Sequence, residues 1–331
     1  MPEMTYSEAL NLALREEMRR DPTVFVMGED VAVWGDRGGV FGVTRGLVEE
    51  FGAARVRDTP INEEAIAGAA VGAALTGMRP VVEIMYSDFL TLTMEPLVNQ
   101  AAKLRYMFGG QATVPLVVRT NLGASGGKAA QHSQSLETWM MHVPGLKVVL
   151  PSTPADARAL LKTAIRDEDP VIFFEHKLLY FQKGEVPEAE NLLEFGMAAV
   201  RREGRHATVV AAQAMLNLVL EVAERLALEG IEIEVIDPRT LVPLDIETIV
   251  TSVRKTNRLL VCHEATERAG WAAEVAMQVS ELAFDDLDAP VARVCGANVP
   301  VPYSTPMEEV VIPDQGRIER ALRLLLRGTG A

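Results

Sequence analysis

Asp58–Gly68 reads Asp-Thr-Pro-Ile-Asn-Glu-Glu-Ala-Ile-Ala-Gly, and well downstream the chain reads Gln131-His132-Ser133-Gln134-Ser135. The first segment puts one carboxylate, Glu63, in the opening turn of a helix of small residues. The second puts one imidazole, His132, in a polar stretch behind a Gly-rich loop. A carboxylate held against a nitrogen heterocycle can shift the ring's protonation, and an imidazole can hand over a proton. Together the two fit an enzyme subunit that activates a heterocyclic cofactor with a carboxylate.

Each residue also has a plainer reading. Glu63 follows Asn62, a good N-cap, and a first-turn acid steadies the helix dipole by about 0.3–1 kcal/mol. Position alone favours that role, and Glu64 fits it better still. His132 follows Gly123–Gly127 and is flanked by Gln131, Ser133 and Gln134, a setting unlike a core, so structural and functional roles both stay open. Phe89, in Tyr86-Ser-Asp-Phe89, is either a core ring or a ring stacked on a flat heterocycle. Leu122-Gly-Ala-Ser-Gly-Gly-Lys128-Ala129 resembles a phosphate loop but misplaces its first glycine and has Ala129 where the magnesium-binding hydroxyl belongs. No Gly-x-Gly-x-x-Gly follows a strand, and no nucleophile elbow is present. The chain is therefore expected not to hold a diphosphate by itself.

The elements that must position these residues alternate. Ser7–Arg20 carries Leu10, Leu14 and Met18 on one stripe and reads as an amphipathic helix. Thr23–Met27, Val56–Asp58, Arg79–Tyr86, Val114–Arg119, Leu146–Leu150 and Val171–Glu175 read as short buried strands. Helices are expected at Ile61–Gly77, Glu95–Tyr106 and Pro154–Arg166, the last opened by a first-turn proline. A Gly-rich loop, Gly35–Gly42, lies beside Trp34 and contains Phe41. Gly68 and Gly72, with Ala65, Ala69 and Ala73, form a small-residue face. Glycine weakens a helix interior by about 1 kcal/mol relative to alanine, so this face asks for close packing, inside the domain or between subunits.

The acidic stretch around Pro187 lacks periodicity and reads as a linker. Beyond it strands at Ala207–Ala212, Ile231–Ile236, Arg258–His263 and Val291–Cys295 alternate with helices at Asn217–Glu229, Asp245–Lys255, Trp271–Phe284 and Gly316–Leu326. Continuous apolar strands between helices indicate parallel sheets covered on both faces, an α/β class built in three layers. The domains are expected at 1–183 and 196–331, with the linker at 184–195.

The 331 residues are 48% hydrophobic, enough for two cores, and the formal net charge is −14. An acidic chain repels phosphate backbones, so no nucleic-acid partner is expected; the charge suits a basic protein partner or serves solubility alone. Cys262 and Cys295 lie in apolar runs and read as buried strand residues rather than ligands. No apolar run approaches the roughly 20 residues a membrane span needs, and the amino terminus has no signal core, so a cytoplasmic protein without a membrane partner is expected.

The motifs can then be set beside known families. Met27-Gly-Glu-Asp-Val31, Asp58-Thr-Pro-Ile61, Asn99-Gln-Ala-Ala-Lys103, Gln131-His-Ser-Gln134, Pro144–Val149, Ala164-Ile-Arg-Asp167, Glu175-His-Lys-Leu-Leu-Tyr180, Asp237-Pro-Arg-Thr240 and Val301-Pro-Tyr303 run nearly the length of the chain. In these the chain resembles the β subunit of the thiamine-diphosphate-dependent E1 component of 2-oxo acid dehydrogenase complexes. The resemblance implies a pyrimidine-binding domain followed by a transketolase C-terminal domain, in an α2β2 heterotetramer. It implies that thiamine diphosphate is shared with the α subunit, which holds the diphosphate and its Mg2+, in accord with the failed phosphate loop.

By the same resemblance, Glu63 is the glutamate at N1′ of the aminopyrimidine, favouring the tautomer whose 4′-nitrogen deprotonates the thiazolium. His132 is the proton donor near the reacting carbon when the acyl group passes to lipoyl-lysine of the E2 component. Phe89 packs on the pyrimidine, Met85 lines its pocket, and Glu29 lies by the active-site channel. Leu116, Ala164, Ile165, Asp167 and Asp169 match a structural potassium site, with Asp169 departing from the usual asparagine. Lys103–Gly110 and Glu175–Tyr180 look most like acetoin or pyruvate members, and His263-Glu-Ala265 more like branched-chain ones. Three readings follow: oxidative decarboxylation of a 2-oxo acid such as pyruvate, acetoin cleavage with acetyl transfer to lipoyl-E2, or a non-catalytic scaffold that only docks E2.

Overall fold

The computed structural model describes residues 2–32 and 38–327; Trp34 and the start of the Gly-rich loop at Gly35 lie outside the described residues. The chain divides into two compact units, Met1–Leu122 with Trp139–Phe195, and Gly123–Thr138 with Gly196–Ala331.

In the first unit six parallel strands lie in the order Lys147–Val149, Val171–His176, Val117–Leu122, Arg79–Ile84, Val24–Gly28 and Val56–Asp58. Strands such as Val117–Leu122 and Val171–His176 are buried at every position, as parallel strands covered on both faces must be. Helices Tyr6–Arg20 and Pro154–Arg166 pack on each other through a core that includes Leu10, Leu14, Met18, Leu160, Leu161 and Phe173. Tyr6–Arg20 opens on a capping box, with Thr5 accepting from the Glu8 amide and Glu8 accepting from the Thr5 amide. Phe41, the described end of the Gly-rich loop, stacks on Tyr180 at 4.3 Å.

Helix Glu63–Leu75 buries Ile66, Ala67, Ala70, Val71 and Ala74. Gly68 and Gly72 point the other way, and a Cβ on either would meet nothing within 4 Å among the described residues. Among the described residues the small-residue face is thus open, and they give it no close packing inside the unit.

Several boundaries depart from the sequence reading. The strand expected at Val114–Arg119 starts later, at Val117, because Pro115 cannot donate to a ladder and Leu116 N turns back on Val114 O. The helix expected at Glu95–Tyr106 is a wide π turn, Glu95–Ala101, running into an α-helix, Ala102–Met107. Within the linker stretch, Lys183–Glu185 forms a small antiparallel ribbon with Glu3–Thr5.

The second unit is a five-stranded sheet ordered Ala292–Gly296, Leu259–Thr266, Ala207–Ala211, Ile233–Asp237 and Ala199–Arg202. The first four are parallel; Ala199–Arg202, which the alternation did not suggest, closes the edge antiparallel. Helices Gln213–Ala227, Ile246–Thr256, Trp271–Leu282 and Gln315–Arg327 accompany it. Cys262 and Cys295 are free and buried on neighbouring strands, and burial pushes the Cys295 thiol up to about 11 and Cys262 higher. Among the described residues no helix is long and apolar enough to cross a membrane.

Candidate functional site

Parallel sheets present their carboxyl ends as a ligand edge, because the loops that leave those ends diverge. In the first unit three neighbouring strands bring the expected residues to that edge. Glu29 follows Val24–Gly28 directly. Glu63 starts the helix that follows Val56–Asp58, and Met85 and Phe89 follow Arg79–Ile84. The loops are tied down: Asp58 accepts from the Ala32 amide at 2.6 Å, and the Thr59 amide donates to Gly28 O at 3.0 Å. Gly28 must lack a side chain, since a Cβ there would lie 2.8 Å from the carbonyl of Glu83.

Asn62 caps the helix by accepting from the Ala65 amide at 2.9 Å. That cap and the first-turn position are what the plainer reading asked for. Yet Glu63 is 6% exposed while Ile61 beside it is 81% exposed. A dipole-stabilising acid does its work in water; this one is buried and its carboxylate makes no hydrogen bond to any described residue. Glu64 stays exposed. Glu29 is half-buried and its Oε1 has no partner among the described residues. Burial first, then repulsion from Glu63, Asp30 and Glu83, pushes the Glu29 carboxyl above its ordinary value. Met85 and Phe89 are half-buried, Phe89 in a 3-10 turn whose amide donates to Tyr86 O at 2.9 Å.

Behind this edge lies a polar cluster that the sequence reading missed. Arg119 is buried, donates to both oxygens of Glu175 at 2.7 and 2.8 Å, and donates to Glu83 at 2.7 Å. Tyr180 adds a hydroxyl to Glu175 at 2.6 Å. Burial opposes the guanidinium's charge, but Glu175 and Glu83 outweigh it and hold Arg119 charged. The signal was present: Val-Val-Glu83-Ile, Val-Val-Arg119-Thr and Phe-Phe-Glu175-His each set one charge in an apolar strand, and Glu83 pairs with Arg119 in register.

Four of the five main-chain oxygens expected for potassium already accept a hydrogen bond. The carbonyls of Ile165 and Asp167 each accept from Arg79 Nη1 at 3.0 Å. Leu116 O accepts from the Val171 amide and Ala164 O from the Asp167 amide. Asp167 holds Lys147, and Asp169 pairs with Arg105 and Lys147, which keep its carboxyl below its usual range against burial.

His132 is carried by the second unit, half-buried on the loop Gly123–Thr138. Gly126 and Gly127 are both left-handed, φ +79° and +72°, and their amides point to one side. They close on the carboxylate of Glu308, at 2.8 and 3.0 Å. The amide pair that made this loop look like a phosphate cradle thus holds an internal carboxylate. Glu264 accepts from the Ala124 amide at 2.5 Å, and Glu137 meets His263 Nε2 at 2.6 Å, both side chains buried. Of these, only His263 and Glu264 lay in a motif already noted; nothing in the sequence marked Glu308.

Residues 2–183 match the family model described as transketolase, pyrimidine binding domain, and residues 196–318 that described as transketolase, C-terminal domain. The chain is 47% identical over 327 residues to the acetoin:2,6-dichlorophenolindophenol oxidoreductase subunit beta of Bacillus subtilis (strain 168), covering 95% of each. It is 46% identical over 327 residues to the 2-oxoisovalerate dehydrogenase subunit beta of the same organism, covering 98% of this chain and 99% of the relative. It is 45% identical over 324 residues to the pyruvate dehydrogenase E1 component subunit beta of Rhizobium meliloti (strain 1021), covering 98% and 70%. Among solved structures, a split gene transketolase described as an inactive beta4 tetramer matches with a TM-score of 0.78 at 23% identity over 98% of both chains, which speaks to the fold alone.

Proposed function

The chain belongs to the family of β subunits of the E1 components of pyruvate, branched-chain 2-oxo acid and acetoin dehydrogenase complexes, and on that premise we propose that it supplies the pyrimidine-activating half of a thiamine-diphosphate site completed by an α subunit. The observation that carries the proposal is Glu63, a carboxylate only 6% exposed at the ligand edge of the first unit and without a hydrogen-bond partner among the described residues. Such a group is costly unless a donor meets it. A protonated ring nitrogen is such a donor, so the residues present fit the aminopyrimidine.

When bound, thiamine diphosphate supplies the nucleophile and the electron sink for cleaving the bond beside a carbonyl. The protein's own part is acid–base work and placement. Glu63 holds the proton at N1′ and so sets the ring's tautomer. Glu29 keeps a second carboxyl beside it, and Phe89 and Met85 flank the flat ring. His132 delivers a proton from its ring when the acyl group passes to the lipoyl arm of an E2 acyltransferase. The Gly126 and Gly127 amides are taken by Glu308, which supports placing the diphosphate and Mg2+ on the α subunit. The open Gly68–Gly72 face suits close approach of another subunit in an α2β2 heterotetramer.

Potassium fits less well, because an ion at Ile165 and Asp167 would share both carbonyls with a guanidinium; Arg79 already supplies the positive charge there. A cytoplasmic setting belongs to the same reading, and the two unpaired cysteines accord with a reducing compartment. The acyl substrate is a 2-oxo acid, or acetoin: relatives named for acetoin and for pyruvate both reach 47% identity and the branched-chain one 46%, so identity does not choose among them. Assays of the chain reconstituted with its α subunit on pyruvate, 3-methyl-2-oxobutanoate and acetoin test this. Turnover of one of them that is lost in Glu63→Gln supports the proposal; turnover undiminished in that variant refutes it.

A further inference from the structure

The loop that carries His132 is built from residues that would let it wander. Gly123, Gly126 and Gly127 have φ of +90°, +79° and +72°, and Ala129 joins them at +60°. Two backbone bonds that close the loop on itself are long: the Gly123 amide to Gln134 O at 3.5 Å and the His132 amide to Ala129 O at 3.4 Å. Short bonds reach it from elsewhere in the second unit. Glu264, next to the buried His263 on Leu259–Thr266, takes the Ala124 amide. Glu308, on the short helix Thr305–Val311, takes the Gly126 and Gly127 amides with its two oxygens. Downstream, Glu137 is held by His263.

His132 sits midway between Gly127 and Glu137, so the anchors bracket it on both sides. Glu308 is itself 7% exposed, whereas Met307 and Val310 on the same helix are 60% and 77% exposed. The helix therefore turns Glu308 and Val311 inward, Glu308 onto the loop, and leaves Met307, Glu309 and Val310 outward. Gly127 is locked from the other side as well: a Cβ there would lie 3.3 Å from Tyr303 O, in a backbone conformation that side chains disfavour.

We propose that Glu308 is a positioning residue for His132: its carboxylate, bound by two consecutive amides, fixes the loop so that the imidazole is held where acyl transfer needs its proton. The proposal rests on the role given to His132 above. Carboxylate-to-amide bonds are among the stronger hydrogen bonds, and a catalytic group must be held within a fraction of an ångström, so losing one should be visible in both loop order and rate.

The test uses the chain assembled with its α subunit and compares Glu308→Gln and Gly127→Ala, which disturb the cradle from its two sides, with the exposed neighbour Glu309→Gln. Hydrogen exchange of the Ala124–Gln134 amides should speed up by about tenfold or more in the first two and stay as in the parent for the third. The kcat for acyl transfer to a lipoyl domain should fall about tenfold with KM for that domain unchanged, and neither variant should lower the rate further in a His132→Ala background. Unchanged exchange in both variants overturns the proposal, as does a loss that adds in full to that of His132→Ala. Faster exchange in both, in an enzyme where His132→Ala alone transfers acyl groups at the parent rate, leaves the clamp standing and sinks the role given to His132 instead.

Discussion

Glu29 lies beside Glu63, and burial together with the charge of Glu63 raises the Glu29 carboxyl above its ordinary value of 4.5. Two carboxyls at one sheet edge, with no basic side chain among the described residues bonded to either, is a poor arrangement for stability and a good one for handling protons.

The cost should show in the pH dependence of folding. Below pH 4.5 both the folded and the unfolded chain keep the Glu29 proton. Above it the unfolded chain releases that proton first, so the contribution of Glu29 to stability falls as pH rises through the folded-state value. Glu29→Gln should therefore melt higher than the parent at pH 7, with the difference shrinking toward pH 4. Calorimetric scans across that range check it; a variant that melts lower at pH 7 contradicts the repulsion.

Arg119 holds two buried carboxylates, so its removal leaves both uncompensated. Arg119→Met should cost about 3–5 kcal/mol in urea unfolding. Arg119→Lys should also destabilise, since an ammonium cannot reproduce the fork that meets both oxygens of Glu175. A loss below about 1 kcal/mol in Arg119→Met would show that Glu83 and Glu175 do not depend on the guanidinium.

Much of this was legible in the chain. Helix Pro154–Arg166 falls where Pro154 announces it, and Val56–Asp58 ends where Pro60 stops it. Asn62 marks the start of the helix that bears Glu63, and the cap is made as expected. What stayed hidden is what local signals do not encode. Gln213, at φ +54°, starts its helix without a side-chain cap, so the helix reads as beginning later, at Asn217. The antiparallel edge strand Ala199–Arg202 is too short and too polar to announce itself. Burial of Glu63 depends on three strands meeting at one edge, and the hold of Glu308 on Gly126 and Gly127 joins residues far apart in the chain; both are tertiary facts.

The carbonyls of Ile165 and Asp167 offer a test of the potassium expectation. With Arg79 Nη1 already bonded to both, exchanging potassium for sodium should move the melting temperature by less than about 2 °C, while Arg79→Met should make the chain markedly less stable in either salt. A rise of more than about 4 °C specific to potassium would show that the ion, and not the guanidinium, holds these oxygens.

The most direct test of the central claim asks whether Glu63 activates the cofactor, apart from any substrate. Rapid-quench NMR of the reconstituted assembly reads how fast the C2 proton of bound thiamine diphosphate exchanges with deuterium. Glu63→Gln should slow that exchange by about 10²–10⁴-fold with the cofactor still bound and the assembly intact, the size of effect expected for losing a placed acid–base group. Exchange at the parent rate in Glu63→Gln would contradict the account.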